Sequence, residues 1–234
     1  MEHTLGQRAT AEFVGAFTLV FVGAGSILAG GDLVAVGLAH GLAIGVMVAA
    51  AGGISGGHFN PAVTIGVYIT NKIETRAAAI YIGAQLAGGV VAALLLRVAL
   101  PGAIHGELGV PALGSGDVAG GTWSVTSGQA ILIEAILTFF LVFVIFGTAI
   151  DEESPFGGIA ALAIGLTITL DIMMGGPLTG AAMNPARWFG PALAGGNWSD
   201  ALVYILGPVF GGGLAALTYD GVILRPRQKD ASAA

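Results

Sequence analysis

The sequence predicts an all-α integral membrane protein: six transmembrane helices plus two re-entrant half-helices, related by an inverted internal repeat. Three observations carry that prediction. Of the 234 residues, 55% are hydrophobic and only 9% are charged, and the mean hydropathy is +0.88; soluble domains carry about 25% charged residues. Apolar runs close to the ~20 residues needed to cross a bilayer recur along the whole length. Finally, the triplet Asn-Pro-Ala occurs twice, at Asn60-Pro61-Ala62 and Asn184-Pro185-Ala186.

In chain order, residues 1–8 are too short and polar for a cleaved leader, so the first apolar segment is expected to remain as a span. The six long segments run roughly over 8–30, 33–51, 77–100, 128–150, 157–175 and 199–222. Segments 61–70 and 185–194 follow the triplets and are too short to cross a bilayer. In each triplet Asn is a favoured N-cap and Pro sits at the first helical position, where its missing donor costs nothing. Flexible small-residue approaches precede them, Ile54-Ser55-Gly56-Gly57 and Leu178-Thr179-Gly180-Ala181-Ala182. Glycine is frequent, at 40 residues, and lets apolar helices approach closely. The Gly, Pro and Ser-rich stretch from Pro101 to Ser127 joins the halves.

The halves are repeats. Glu12 with Leu19-Val20-Phe21-Val22 matches Glu134 with Leu141-Val142-Phe143-Val144 at an offset of 122, and the triplets match at 124. Tyr81-Ile82 and Gly88-Gly89 match Tyr204-Ile205 and Gly211-Gly212 at 123. The repeats are expected over about 8–100 and 128–222, forming one channel domain with the link at 101–127. An odd number of spans per half inverts the second, as in many transport proteins. Arg8, Lys72, Arg76, Arg225, Arg227 and Lys229 fall on the side of the termini, Arg97 and Arg187 on the other. The positive-inside rule places both termini in the cytoplasm.

Inverted halves bring the helices that start at Pro61 and Pro185 together, N-terminus to N-terminus. Irregular backbone at that depth is tolerated where it lines water or is buried in protein. The carbonyls of Gly56, Gly57, His58, Gly180, Ala181 and Ala182 are therefore expected to form a ladder of acceptors. Asn60 and Asn184 would supply donors at the centre, with Val63 on the wall, and the helix dipoles would repel cations. Arg187, a cation in a membrane segment, is functional by default. His58 is expected to brace the first half-helix. Glu12 and Glu134 hold equivalent places and are expected to be buried acceptors for loop donors. Asp171 within a span should lie at the outer mouth with water, or take a hydrogen bond from His40 or Arg187. Asn197-Trp198-Ser199 matches a glycosylation sequon, but Asn197 or Ser199 capping the last span is the expected role.

These residues resemble the aquaporin (major intrinsic protein) family over essentially the whole chain, as does Gly207-Pro208 in the last span. The resemblance implies a right-handed six-helix bundle assembled as a homotetramer, one pore per subunit. It also implies an outer constriction of His40, Ile172, Ala181 and Arg187, found 20 residues before Asn60 and 12 before Asn184. That quartet, with Gly180-Ala181-Ala182-Met183-Asn184, is similar to the plant vacuolar-membrane subfamily. Trp188 departs from the Asp that glycerol facilitators carry after the arginine.

The function expected is a passive channel for water, with ammonia or other small neutral solutes as further permeants and protons and ions excluded. Alternatives are a glycerol or polyol facilitator, or a proton-coupled transporter using His40, Asp171, Glu12 and Glu134 as a relay. An enzyme is disfavoured: no His-Glu-x-x-His or nucleophile motif occurs. No cofactor or metal is called for, and no basic patch suggests nucleic acid. The absence of cysteine excludes disulfides and thiol chemistry.

Overall fold

The computed structural model describes residues 3–102, 107–119 and 121–227. Its helices are α1 (Leu5–Leu28), α2 (Leu33–Ser55), α3 (Pro61–Ile69), α4 (Thr75–Ala99), α5 (Ser127–Ile145), α6 (Ala160–Thr179), α7 (Pro185–Gly195) and α8 (Ala201–Tyr219). Single π-helical turns, Phe146–Ile150 and Asp220–Leu224, extend α5 and α8. Six of these helices are long and apolar enough to cross a membrane, whereas α3 and α7 are half-helices.

Local chemistry sets the boundaries. Thr4 and Thr126 open α1 and α5 with capping boxes completed by Gln7 and Gln129, each satisfying otherwise orphaned donors. Asp32 caps α2. Two helices outrun the expected segments: α2 continues to Ser55 and α6 passes through Pro177 to Thr179. Both stop at a glycine in the left-handed region, Gly56 (φ 93°) and Gly180 (φ 78°), so the glycine rather than the end of the apolar run terminates them. The link is not wholly irregular, since a hairpin pairs β1 (Ser115–Val118) with β2 (Gly121–Ser124). The expected cap of the last span is corrected. Asp200, not Asn197 or Ser199, precedes α8, without a side-chain cap bond; Asn197 Nδ2 donates to Glu107 at 2.8 Å and its Oδ1 accepts from Ser199 N.

In the packing α4 lies against α1, and α8 lies against α5. Gly88 faces the Phe13 carbonyl and its equivalent Gly211 faces the Ala135 carbonyl, each so closely that no Cβ fits. Large apolar side chains such as Leu42, Val46, Leu132, Leu162, Leu202 and Phe210 remain exposed on the outer faces, as a hydrocarbon surround requires.

At the end bearing the described termini, two carboxylates latch the helix ends together. Asp220 meets Lys72 at 3.2 Å and Arg225 at 2.7 Å. Asp151 accepts from Tyr219 Oη at 3.0 Å and Arg227 Nη1 at 2.9 Å. Burial works to raise the Asp151 pKa, but the bonds from Tyr219, Arg227 and the Glu153 N–H outweigh it and hold the carboxyl below its ordinary 3.8. Its contribution to stability is complete above the unfolded-state value and is lost as pH falls through the lower folded-state value. Thermal midpoints in detergent should therefore drop as the pH falls below about 4. Asp151→Asn should start lower at neutral pH and lose less on acidification; a variant with the wild-type pH slope would show that the latch contributes nothing.

Candidate functional site

The two approach segments meet in the middle of the bundle. Asn60 Oδ1 accepts from Ala62 N at 2.9 Å, and Asn184 Oδ1 accepts from Ala186 N at 2.9 Å and Arg187 N at 3.3 Å. Each oxygen thus caps its own half-helix, which turns the amide nitrogen toward the opposite loop. Asn60 Nδ2 donates to Met183 O at 2.8 Å, and Asn184 Nδ2 to Phe59 O at 3.0 Å. The accepting residues hold left-handed backbone, Phe59 at φ 49° and Met183 at φ 51°. One hydrogen of each amide is consumed in this cross-link, and the second remains for the cavity that both Asn line. Pro61 and Pro185 stand at the first helical positions. Ala62 and Ala186 are fully buried behind them.

Two buried carboxylates shape the approaches. Glu12 Oε1 accepts from Ser55 Oγ and His58 N, and Oε2 from Phe59 N and Gln85 Nε2, all within 2.6–3.0 Å. Glu134 Oε1 accepts from Thr179 Oγ1 and Ala182 N, and Oε2 from Met183 N, within 2.7–2.9 Å. Tyr81 and Tyr204 donate to Ser55 O and Thr179 O. With their N–H groups drawn inward, Gly57, His58, Ala181 and Ala182 border the cavity. Gly56 borders the adjoining vestibule instead. Gly180 borders neither, contrary to expectation: as the cap of α6 it faces Pro111 in the link. His58 Nδ1 pairs with Thr64 Oγ1 at 3.1 Å, tying the approach to α3.

His40, Ile172, Ala181 and Arg187 all line this cavity. Arg187 is 2% exposed, and no described carboxylate lies within ion-pair distance of it. Its Nη1 donates to Gly109 O at 2.7 Å and its Nε to His40 Nε2 at 3.4 Å. Since arginine only donates, His40 Nε2 is the acceptor, and Nδ1–H donates to Val36 O at 2.9 Å. Both ring nitrogens are thereby used. Of the five guanidinium donors two are used, and three remain beside the cavity that Arg187 lines. Gly109 was not foreseen; nothing in a Gly-rich link marks which carbonyl will reach an arginine. The wall of Ile164, Ile168 and Ile172 was legible as a spacing of four along one face of α6.

The cavity is small, with a volume of about 20 Å³. It shares Gly57, His58, Val63, Ile145 and Ile164 with a neighbouring vestibule of about 330 Å³ that Arg8, Lys72 and Glu152 also line.

This arrangement, two half-helices capped by Asn and cross-linked beside a small buried cavity, agrees with the comparison of whole sequences. A model of the major intrinsic protein family matches residues 2–219. The chain belongs to the major intrinsic protein family. It is 43% identical to the aquaporin TIP4-4 of Zea mays over 92% of this chain and 85% of that protein. It is 44% identical to the probable aquaporin TIP3-2 of Arabidopsis thaliana over 93% and 84%. The fold matches the solved aquaglyceroporin of Plasmodium falciparum, with a TM-score of 0.76 at 24% identity over 96% of this chain and 98% of that one.

Within this major intrinsic protein scaffold, two residues depart from expectation. Asp171 is fully buried, and neither carboxyl oxygen has a hydrogen-bond partner among the described residues. The expected donors are engaged elsewhere, His40 with Val36 and Arg187 with Gly109. Helix geometry turns Asp171 about 100° from Ile172, and Ile172 takes the cavity-facing position. Trp188 is buried behind the passage, stacked on Tyr204 at 6.1 Å, and so does not touch a permeant.

Proposed function

We propose that this protein is a passive channel for water, in which permeants pass singly between the Asn-Pro-Ala cross-link and the Arg187 constriction. The observation that carries this reading is the reciprocal Asn60–Met183 and Asn184–Phe59 bonding beside a small cavity that both Asn line. Water in the passage meets the free amide hydrogens of both Asn and the carbonyls of Gly57, His58, Ala181 and Ala182. Opposite them stand Leu19, Ile44, Val63, Leu141, Ile145 and the isoleucines of α6. The names of the plant relatives as aquaporins support water as the main permeant. Ammonia and similarly small neutral solutes fit the same path, and glycerol is too large to meet Arg187 and the carbonyls in file.

A proton relay has little to stand on. Glu12 and Glu134 are saturated by donors of the approach segments, and Asp171 does not line the cavity. Both termini are cytoplasmic in this reading, supported by Arg8, Lys72, Arg225 and Arg227 around the vestibule end; Lys229 lies outside the described residues. The two repeats form one channel domain, and four copies assemble with one pore each, as the resemblance implies.

The test is osmotic shrinkage of liposomes containing the purified protein, followed by stopped-flow light scattering. Water flux well above that of empty liposomes, a low activation energy and slow glycerol entry are expected. Glycerol flux rivalling water would overturn the water reading in favour of a polyol facilitator, and flux driven by a proton gradient would overturn the passive one.

A further inference from the structure

One face of α1 runs through Glu12, Gly15, Leu19 and Gly23, all but one turn apart and buried. Glu12 holds the first approach segment and Leu19 lines the cavity. Gly23 carries no chemistry, yet it lies flat against the His40 ring. A Cβ built there would stand 2.5 Å from His40 Nε2 and 2.8 Å from Cε1, and closer still to Cδ2; those ring atoms are its three nearest neighbours. No carbon is tolerated at such distances, so a methyl there requires the ring to shift. Backbone conformation gives no other reason for the glycine. Gly23 is absent from the positive-φ residues, and glycine inside a helix is disfavoured relative to alanine.

We propose that Gly23 is a positioning residue for the outer constriction: its missing side chain forms a notch that seats the His40 ring in α1 and keeps the ring out of the water path. This rests on reading His40 and Arg187 as the constriction. The ring has one direction in which to yield. Its Nδ1 is tied to Val36 O on its own helix and its Nε2 to Arg187, while the cavity, faced by Ile172 and Ala181, is the open side. The repeat provides a contrast. The residue equivalent to Gly23 at the 122-residue offset is Ile145, whose own side chain forms cavity wall. At this position one half lines the passage directly, and the other makes room for a neighbour that does.

The experiment compares water and glycerol permeability of liposomes holding equal amounts of wild type, Gly23→Ala, His40→Ala and the double variant. Gly23→Ala should lower water permeability about tenfold, because overpacking pushes the ring into the small cavity that it lines. His40→Ala should conduct water and admit glycerol more readily than wild type. The double variant should recover to the level of His40→Ala, since the three atoms nearest the added methyl all belong to the ring. Should Gly23→Ala fail to fold alone, the double variant still decides: folding and conduction support the notch, and failure in both overturns it. Wild-type permeability in Gly23→Ala, or an equal loss with and without His40, also overturns it. A wild type that conducts no water would overturn the channel reading itself, and the notch with it.

Discussion

Replacing Asn60 and Asn184 together by Asp should turn a neutral-solute channel into one that leaks cations. Each half-helix presents roughly half a positive charge at its N-terminus, and the two ends face one another across the cavity. Each Asn adds a donor there and no charge. A carboxylate can still accept from Ala62 N or from Ala186 N and Arg187 N, so the caps survive. It cannot donate, however, and its second oxygen would lie against Met183 O or Phe59 O at hydrogen-bond distance. Two carboxylates would therefore outweigh the combined positive ends and remove the barrier of the kind helix dipoles raise in aquaporin-type pores. Losing each cross-link costs about 1–3 kcal/mol, so thermal midpoints should fall as well. Proton and sodium flux into liposomes with entrapped dyes is the measurement. A double variant that folds, conducts water and stays closed to cations would show that exclusion resides elsewhere, with Arg187 as the next candidate.

The fold was legible because the bilayer imposes strong rules on a sequence. Spans appear as apolar runs, and the duplication as three matches at nearly one offset. The half-helices were legible because Asn followed by Pro is a helix start with a physical reason. Glu12 and Glu134 could be read as acceptors from their equivalence alone. What the sequence could not reveal depends on contacts between distant segments. Nothing local shows that the Asn amides spend a hydrogen on each other's loops, or that Gly109 rather than a carboxylate receives Arg187. The expectation for Asp171 failed because it assumed that nearby polar residues would turn toward it, when His40 bonds Val36 on its own helix and Arg187 reaches Gly109 and His40. The helix ends moved because single glycines at φ 93° and 78° stop α2 and α6, a choice that hydropathy does not see.

The two buried glutamates look interchangeable in sequence but should respond unequally to the loss of charge. Every oxygen of Glu12 takes two donors, Ser55 Oγ with His58 N and Phe59 N with Gln85 Nε2. In Glu12→Gln the new amide must turn its hydrogens toward one of these pairs and leave a backbone N–H stranded. Gln85 could flip its otherwise unpartnered Oε1 to accept, but that would take its Nε2 away from Thr64. In the second repeat Pro208 stands where Gln85 would fall at the 123-residue offset. Glu134 Oε2 accordingly takes Met183 N alone. Glu134→Gln therefore disturbs a single donor, at about 1–3 kcal/mol, whereas Glu12→Gln disturbs a pair at whichever oxygen the amide replaces. Against a total stability of order 5–15 kcal/mol, Glu12→Gln should melt well below Glu134→Gln in detergent. It should also lose more water flux, since the freed N–H groups let the Gly57–His58 approach swing into the passage. Scanning fluorimetry of both variants decides it, and equal midpoints, or a lower one for Glu134→Gln, would refute the inequality drawn from these bonds.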